Sequence, residues 1–181
     1  GYTILYLSDS VGLSVPLSGT VLAGLQVSGS AGRIVTGWLS DALPGAPRRR
    51  IGAILTVQAL GSAVLFVTVA FVDQRLVAIA AFVTLGFFVL GFTGVYYSVL
   101  ATLVPTEEMG GATAGGQLAL TSGALLAPPA FGFVGESVGY RTSWLLLAGL
   151  SAIATVFVVR VTLASSPRSA DGGETTDCAE E

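Results

Sequence analysis

The sequence predicts an all-α fold, a polytopic bundle of helices that span a membrane. Of its 181 residues, 52% are hydrophobic and 10% are charged, whereas soluble domains carry roughly 25% charged residues. Long apolar segments alternate with short polar turns, and about 20 apolar residues suffice to cross a bilayer. Between two such segments lie three consecutive arginines, Arg48, Arg49 and Arg50. Such a cluster marks a cytoplasmic loop by the positive-inside rule.

The composition also argues against several classes of function. The chain has no His and a single Cys, which removes histidine metal sites, histidine triads and an intrachain disulfide. It has no Gly-Lys phosphate-binding loop of the kind that ATP-hydrolysing modules use. We therefore expect a protein that is not an enzyme and that uses no cofactor, no metal and no nucleic-acid partner.

Five full spans are predicted, and a shorter apolar stretch precedes them. Residues 1–8 are read as the remnant of a preceding helix, because they are too few to cross a bilayer. Since the chain begins inside an apolar segment, we expect it to be a piece of a longer protein. Ser14 is the expected N-cap of the first full span. The spans are expected at residues 15–39, 51–72, 76–104, 110–134 and 143–163.

The first span carries small residues at a spacing of four, which lets membrane helices approach closely. Two neighbouring rows share this spacing: Gly24, Ser28, Gly32 and Thr36, and beside them Gly29, Arg33, Gly37 and Asp41. The fourth span carries a longer stripe of the same kind, which also predicts a packing face: Gly111, Gly115, Ala119, Gly123 and Ala127.

Residues typical of helix ends, kinks and membrane interfaces are found in the later spans. The third span is rich in glycine, and Thr106 is expected to cap the fourth. Pro128 and Pro129 are expected to kink the fourth span. Trp144, with Tyr140, is expected at the membrane interface, where aromatic belts lie. Residues 164–181 are rich in Ser, Gly and acidic residues, which predicts a disordered acidic tail on the cytoplasmic side.

Two motifs carry a resemblance to a known family. The loop after the first full span, together with Gly32-Arg33-Ile34 before it, is similar to the loop signature of the major facilitator superfamily between helices 8 and 9. Its residues are Gly37, Asp41, Gly45, Arg48, Arg49 and Arg50. The stretch from Gly123 through Pro128-Pro129 to Tyr140 and Trp144 resembles helix 11 and the turn into helix 12.

The resemblance implies a specific architecture and activity. The chain would be the second six-helix half of such a transporter, with its first helix truncated and its spans equivalent to helices 8 to 12. It would move a small solute across the plasma membrane by alternating access, with its carboxy terminus in the cytoplasm and the missing amino-terminal half as its partner. The loop aspartate Asp41 would gate the inner side by contacting the neighbouring helix start and the basic residues.

A polar layer inside the spans supplies candidates for a substrate cavity. Arg33 lies two turns before Asp41, roughly 12 Å from the inner end of its span. An arginine at that depth faces either a water-filled path or a partner, so an anion-attracting role and a structural bond to backbone carbonyls both remain open. The other candidates lie at a similar depth: Tyr96, Tyr97, Gln117 and Thr121. The tyrosines point apart, so one of them at most lines a cavity.

An alternative function from a different class also fits the composition. A multi-pass membrane scaffold, or a subunit of a complex that does not itself transport, needs only apolar helices and packing stripes. The deep arginine and the polar layer favour a solute pathway over a scaffold, because intramembrane ionisable groups mark such pathways.

Overall fold

The computed structural model describes residues 12–72 and 74–164, and within these ranges every regular element is helical. The predicted remnant at residues 1–8 and the predicted tail beyond residue 164 lie outside the described residues. A short 3-10 helix, Thr106–Glu108, precedes the fifth of the α-helices. The α-helices are α1 (Val15–Ala42), α2 (Pro47–Phe71), α3 (Arg75–Gly91), α4 (Thr93–Leu103), α5 (Met109–Ser137) and α6 (Tyr140–Ala164).

Four segments of the described chain are long and apolar enough to cross a membrane, which confirms the predicted all-α membrane fold. They are Pro47–Phe71, Arg75–Ala101, Thr106–Ser137 and Tyr140–Leu163. The helix α1 has 28 residues but is absent from this group, and its glycine, serine and glutamine residues make it less apolar. That α1 also spans the membrane therefore stays a prediction.

Helices α1 and α3 pack closely through glycines. A Cβ atom added at Gly32 would lie 2.6 Å from the carbonyl oxygen of Phe87, and one added at Gly29 would lie 2.7 Å from Leu90 Cβ. On the α3 side, a Cβ atom at Gly86 would collide with the backbone carbonyl of Leu25. The small residues of α1 therefore lie against a neighbouring helix, as their spacing predicts.

Helix α2 packs mainly against α6, and aromatic rings fill the space between them and α3. The indole of Trp144 is 5% exposed. Its ring centroid lies 4.7 Å from that of Phe131, 5.5 Å from that of Phe82 and 6.0 Å from that of Phe66. Trp144 therefore packs into the aromatic core of the bundle, and its depth in the membrane stays a prediction.

The third predicted span is not one continuous helix. Helix α3 ends at Gly91, Phe92 lies between the two helices, and α4 begins at Thr93. The amide nitrogens of Val95 and Tyr96 both donate to the carbonyl of Phe92. The helical hydrogen-bond pattern therefore restarts at Phe92, and the predicted continuous span of residues 76–104 is interrupted there.

Helix α5 continues through Pro128 and Pro129 and has few buried residues. Every member of its predicted packing stripe is exposed, and a Cβ atom added at Gly115 or Gly123 would meet nothing within 4 Å. The cap prediction for this helix is wrong: Thr106 begins the 3-10 turn instead, and Glu108 precedes α5. No side-chain cap is formed there, so the turn itself leads the chain into the helix.

Candidate functional site

The break between α3 and α4 exposes backbone carbonyls, and side chains of α1 bind them. The Leu90 carbonyl accepts hydrogen bonds from Arg33 Nε at 3.3 Å and from Thr93 Oγ1 at 3.0 Å. The buried Thr36 Oγ1 lies 3.2 Å from the Gly91 carbonyl oxygen and 2.8 Å from that of Gly32 in its own helix, so its one proton is shared between these two acceptors. Backbone carbonyls freed inside a membrane protein need such partners, so α1 stabilises the break in its neighbour.

Arg33 donates one hydrogen bond, from Nε, to a carbonyl at this break, and its side chain is exposed. Its Nη atoms have no partner among the residues that the structure describes. The bond from Nε to Leu90 matches the structural alternative that the sequence left open, while the outer edge of the guanidinium still faces the surface of the bundle. A single arginine can do both, because its five N–H donors point in different directions.

Three of the predicted cavity residues form one hydrogen-bonded row across two helices. The Tyr97 hydroxyl of α4 donates to Gln117 Oε1 of α5. Gln117 Nε2 in turn donates to Thr121 Oγ1 at 3.4 Å, one turn further along α5. All three side chains are exposed on the surface of the described bundle. We call Tyr97, Gln117 and Thr121 the polar row.

Arg33 lies close to the start of this row. A Cβ atom added at Gly94 would lie 2.7 Å from the Arg33 carbonyl oxygen and 3.1 Å from its Cα. Gly94 and Tyr97 are three residues apart on α4 and therefore share one side of that helix. The backbone of Arg33 thus lies within about one helical turn of the tyrosine that begins the row.

Tyr96 takes a different direction from its neighbour. Its ring lies in a groove lined by α2, α4 and α6, and its hydroxyl approaches Gly116 of α5. The rings of Tyr96 and Tyr97 meet edge to face, with centroids 5.3 Å apart. Of the two tyrosines, Tyr97 joins the polar row and Tyr96 does not.

The loop between α1 and α2 is held mainly by arginine bonds to backbone carbonyls. Arg50 Nη1 donates to the Leu43 carbonyl at 2.6 Å and to the Asp41 carbonyl at 3.4 Å. Gly45 adopts a φ of 111°, a conformation that glycine reaches without strain. Arg49 is exposed, and Gly37 has nothing within 4 Å of an added Cβ. Within the described residues, the Asp41 carboxylate makes no ion pair.

Arg48 of the same triplet links α2 to the end of the bundle. Its Nη2 donates to the Val161 carbonyl of α6 at 3.2 Å. Because the last carbonyls of a helix have no intrahelical donor, a cation there both satisfies a carbonyl and meets the negative end of the helix dipole. Arg48 therefore ties the start of α2 to the end of α6.

Two features of the site escaped the sequence analysis. One is the carbonyl pair at Leu90 and Gly91, whose only sequence signal is the glycine content around Phe92. The other is Gln58, which is 4% exposed with neither amide atom hydrogen-bonded in the described structure. Its signal is a lone glutamine in an otherwise uncharged span. Within residues 12–72 and 74–164, no group of three or more His, Cys, Asp or Glu residues could hold a metal ion.

Comparison with known proteins identifies the family. No curated protein matches the sequence. The sequence model described as Major Facilitator Superfamily matches residues 1–177, which is nearly the whole chain and includes both motifs and the polar row. The chain therefore belongs to the Major Facilitator Superfamily and is a multi-pass membrane protein of the transporter type that this family comprises.

Proposed function

We propose that the chain is the carboxy-terminal half of a secondary active transporter that moves a small organic anion by alternating access. The observation that carries this proposal is the exposed polar row beside Arg33. Two six-helix halves would rock about a site near the middle of the membrane. The other half would come from an amino-terminal part of the same transporter, and its helices would face this row.

The exposure of the row supports a solute pathway. Hydroxyl and amide groups that face lipid would lack hydrogen-bond partners, whereas those that face a water-filled cavity keep them. The row has unused capacity at each member: the Tyr97 oxygen can accept, the second N–H of Gln117 can donate, and the Thr121 hydroxyl can donate. Such groups can form hydrogen bonds with the polar part of a solute at successive positions along the row.

Arg33 supports an anionic solute. No Asp or Glu lies deep in the described helices that follow it, so the fixed intramembrane charge of this half is positive. In a cavity of low dielectric constant, one positive charge attracts anions strongly and disfavours cations. The guanidinium fork also matches the planar geometry of a carboxylate or phosphate. The solute would lie between Arg33 and the polar row.

Substitution of Gln117 tests this proposal. In the full-length transporter, Gln117→Leu is expected to raise KM for uptake about tenfold, because it removes both bonds of the central residue, at roughly 1.4 kcal/mol in total. The solute is first identified by uptake into proteoliposomes from a panel of organic anions and cations.

Gln74→Leu is the matched control, because this exposed glutamine precedes α3 in the turn at the opposite end. An unchanged KM in Gln117→Leu would contradict the assigned role of the row. The absence of uptake of any panel member by the folded wild-type protein would instead favour the scaffold alternative.

The loop residues support a gate on the cytoplasmic side. Asp41 is exposed at the end of α1, and the amino end of α5 carries a partial positive charge that would attract it. In the proposed outward-open state Asp41 reaches that helix end, while Gly37, Gly45 and the three arginines shape and hold the loop. The arginine triplet also favours a cytoplasmic carboxy terminus by the positive-inside rule, and we propose that the protein lies in the plasma membrane.

The gate predicts a selective loss of rate. Asp41→Asn keeps the size of the side chain and removes its charge, so it is expected to lower the maximal uptake rate about three- to tenfold with little change in KM. This corresponds to a helix-dipole interaction of roughly 0.7–1.4 kcal/mol. Glu136→Gln near the far end of α5 is the control, and uptake by Asp41→Asn at the wild-type rate would refute the gate.

A further inference from the structure

An apolar groove runs along one side of the bundle, and none of the polar-row residues lines it. One part, with a volume of about 330 Å³, is lined by α2, α4 and α6. A second part of about 300 Å³ extends it toward the middle of α2. The two parts share Leu55, Phe92 and Val158, so they form one continuous groove.

The groove is almost entirely apolar and has the length of one lipid leaflet. From Gly52 to Ser62 it follows α2 for about 15 Å, which is half of the roughly 30 Å hydrocarbon core of a bilayer. The floor of the groove is closed where Gly52 of α2 lies directly against the side chain of Thr162 of α6. A flexible hydrocarbon chain fits such a groove, whereas a whole helix, about 10 Å in diameter, does not.

The end of the groove is positively charged. Arg48 lines it and donates to the Val161 carbonyl. Arg49 follows Arg48 in the chain, Arg160 precedes the lining residue Val161, and both of these arginines are exposed. None of the residues that line either part of the groove is acidic. Basic pockets between membrane helices at the bilayer surface bind the head groups of anionic lipids.

We propose that this groove binds one anionic phospholipid, with its phosphate at Arg48, Arg49 and Arg160 and one acyl chain along Leu55, Phe92 and Val158. The acyl chain gains little hydrophobic free energy when it moves from the bilayer into the groove, because the surrounding lipid tails are as apolar as the groove. Selectivity therefore resides in the charge of the head group, while the groove determines that a lipid rather than a soluble anion is bound. The bound lipid would hold α2, α4 and α6 together at their charged end.

Lipid titration of the full-length protein tests the proposal. The detergent-solubilised protein is titrated with phosphatidylglycerol or phosphatidylcholine of identical chains, and bound lipids are counted by native mass spectrometry. We expect one phosphatidylglycerol to bind saturably, with at least tenfold preference over phosphatidylcholine. Arg48→Gln and Arg160→Gln should each weaken this binding at least threefold. Arg75→Gln changes the net charge equally at the other end of the bundle and should leave it unchanged.

A second variant separates the groove from the charges. Val158→Trp fills the shared part of the groove and should lower phosphatidylglycerol binding at least threefold with all arginines in place. Arg160 makes no bond to α2 in the described structure, so its variant reports on the lipid even if loss of the Arg48 tether unfolds the protein. Circular dichroism checks that each variant is folded.

Three results would overturn the proposal. Equal binding of the two lipids would show that the head-group charge does not select the lipid. Normal binding by folded Val158→Trp would show that the acyl chain does not lie in the groove. Displacement of the lipid by millimolar glycerol phosphate would assign the arginines to a soluble anion instead.

Discussion

Gly86→Ala is expected to separate α1 from α3 and to destabilise the protein by about 2–3 kcal/mol. The new methyl group would collide with the backbone carbonyl of Leu25. A backbone atom inside a helix cannot rotate away as a side chain does, so the helices must move apart. Their separation would also lengthen the bonds from Arg33 and Thr36 to the break between α3 and α4. Unfolding in mixed detergent micelles, followed by circular dichroism, measures the loss.

Gly19→Ala is the matched control for this effect. Gly19 lies on α1, and an added Cβ would meet nothing within 4 Å, so we expect no loss of stability and a gain of up to about 1 kcal/mol from the higher helix propensity of alanine. If Gly86→Ala unfolds at the same detergent fraction as the wild type, the close contact between α1 and α3 does not exist in the membrane.

Arg33→Gln is expected to weaken substrate binding by tenfold or more in the full-length transporter. A hydrogen bond to a charged group contributes about 1.5–3 kcal/mol, and the variant removes the charge as well. Arg33→Lys keeps the charge but loses the planar fork, so its affinity should lie between those of the wild type and Arg33→Gln. Equilibrium binding of the labelled anion, once identified by uptake, measures both variants.

The same variants separate the two roles of Arg33. Loss of the bond to Leu90 lowers the stability of the break, which detergent unfolding reports independently of binding. If Arg33→Gln binds the anion normally but unfolds more easily, Arg33 is structural and the solute is not selected by its charge. Arg75→Gln, an arginine variant in the turn at the other end, controls for the change in net charge.

The spacing of small residues predicts a packing face but does not specify what covers it. On α1 the face meets α3, and Gly29 and Gly32 lie in contact with it. On α5 the same spacing gives a face that is open throughout the described structure. A four-residue period contains no information about the partner, so the two faces look alike in sequence.

The break at Phe92 shows a second limit of the sequence. Glycines in a membrane helix occur both at close helix contacts and at interruptions. Gly91 and Gly94 lie at both, because they flank the break and contact neighbouring helices. The break is tolerated because the side chains of Arg33 and Thr36, some 55 residues earlier, lie within hydrogen-bond distance of its carbonyl oxygens as donors. The burial of Trp144 could not be predicted for a related reason, because it depends on rings from α2, α3 and α5.

The proximity of Tyr97 to Gln117 could be predicted better than the break at Phe92, because depth can be counted along a helix. Counting residues from the helix ends placed Tyr97 and Gln117 in one layer, and the structure joins them by a hydrogen bond. Counting could not decide between Tyr96 and Tyr97, since adjacent residues differ in direction by about 100° and the partner helix was unknown.

The pairing of α1 with α3 and of α2 with α6 has a consequence for synthesis. Helix α2 ends at Phe71 and its main partner begins only at Tyr140, a separation of 69 residues. At about 5–20 residues per second, the ribosome needs roughly 3–14 s to reach the first residue of that partner. During this interval the face of α2 that later meets α6 is covered only by lipid or by insertion machinery. Nascent chains that end before α6 are therefore the ones that we expect quality-control proteases to remove first.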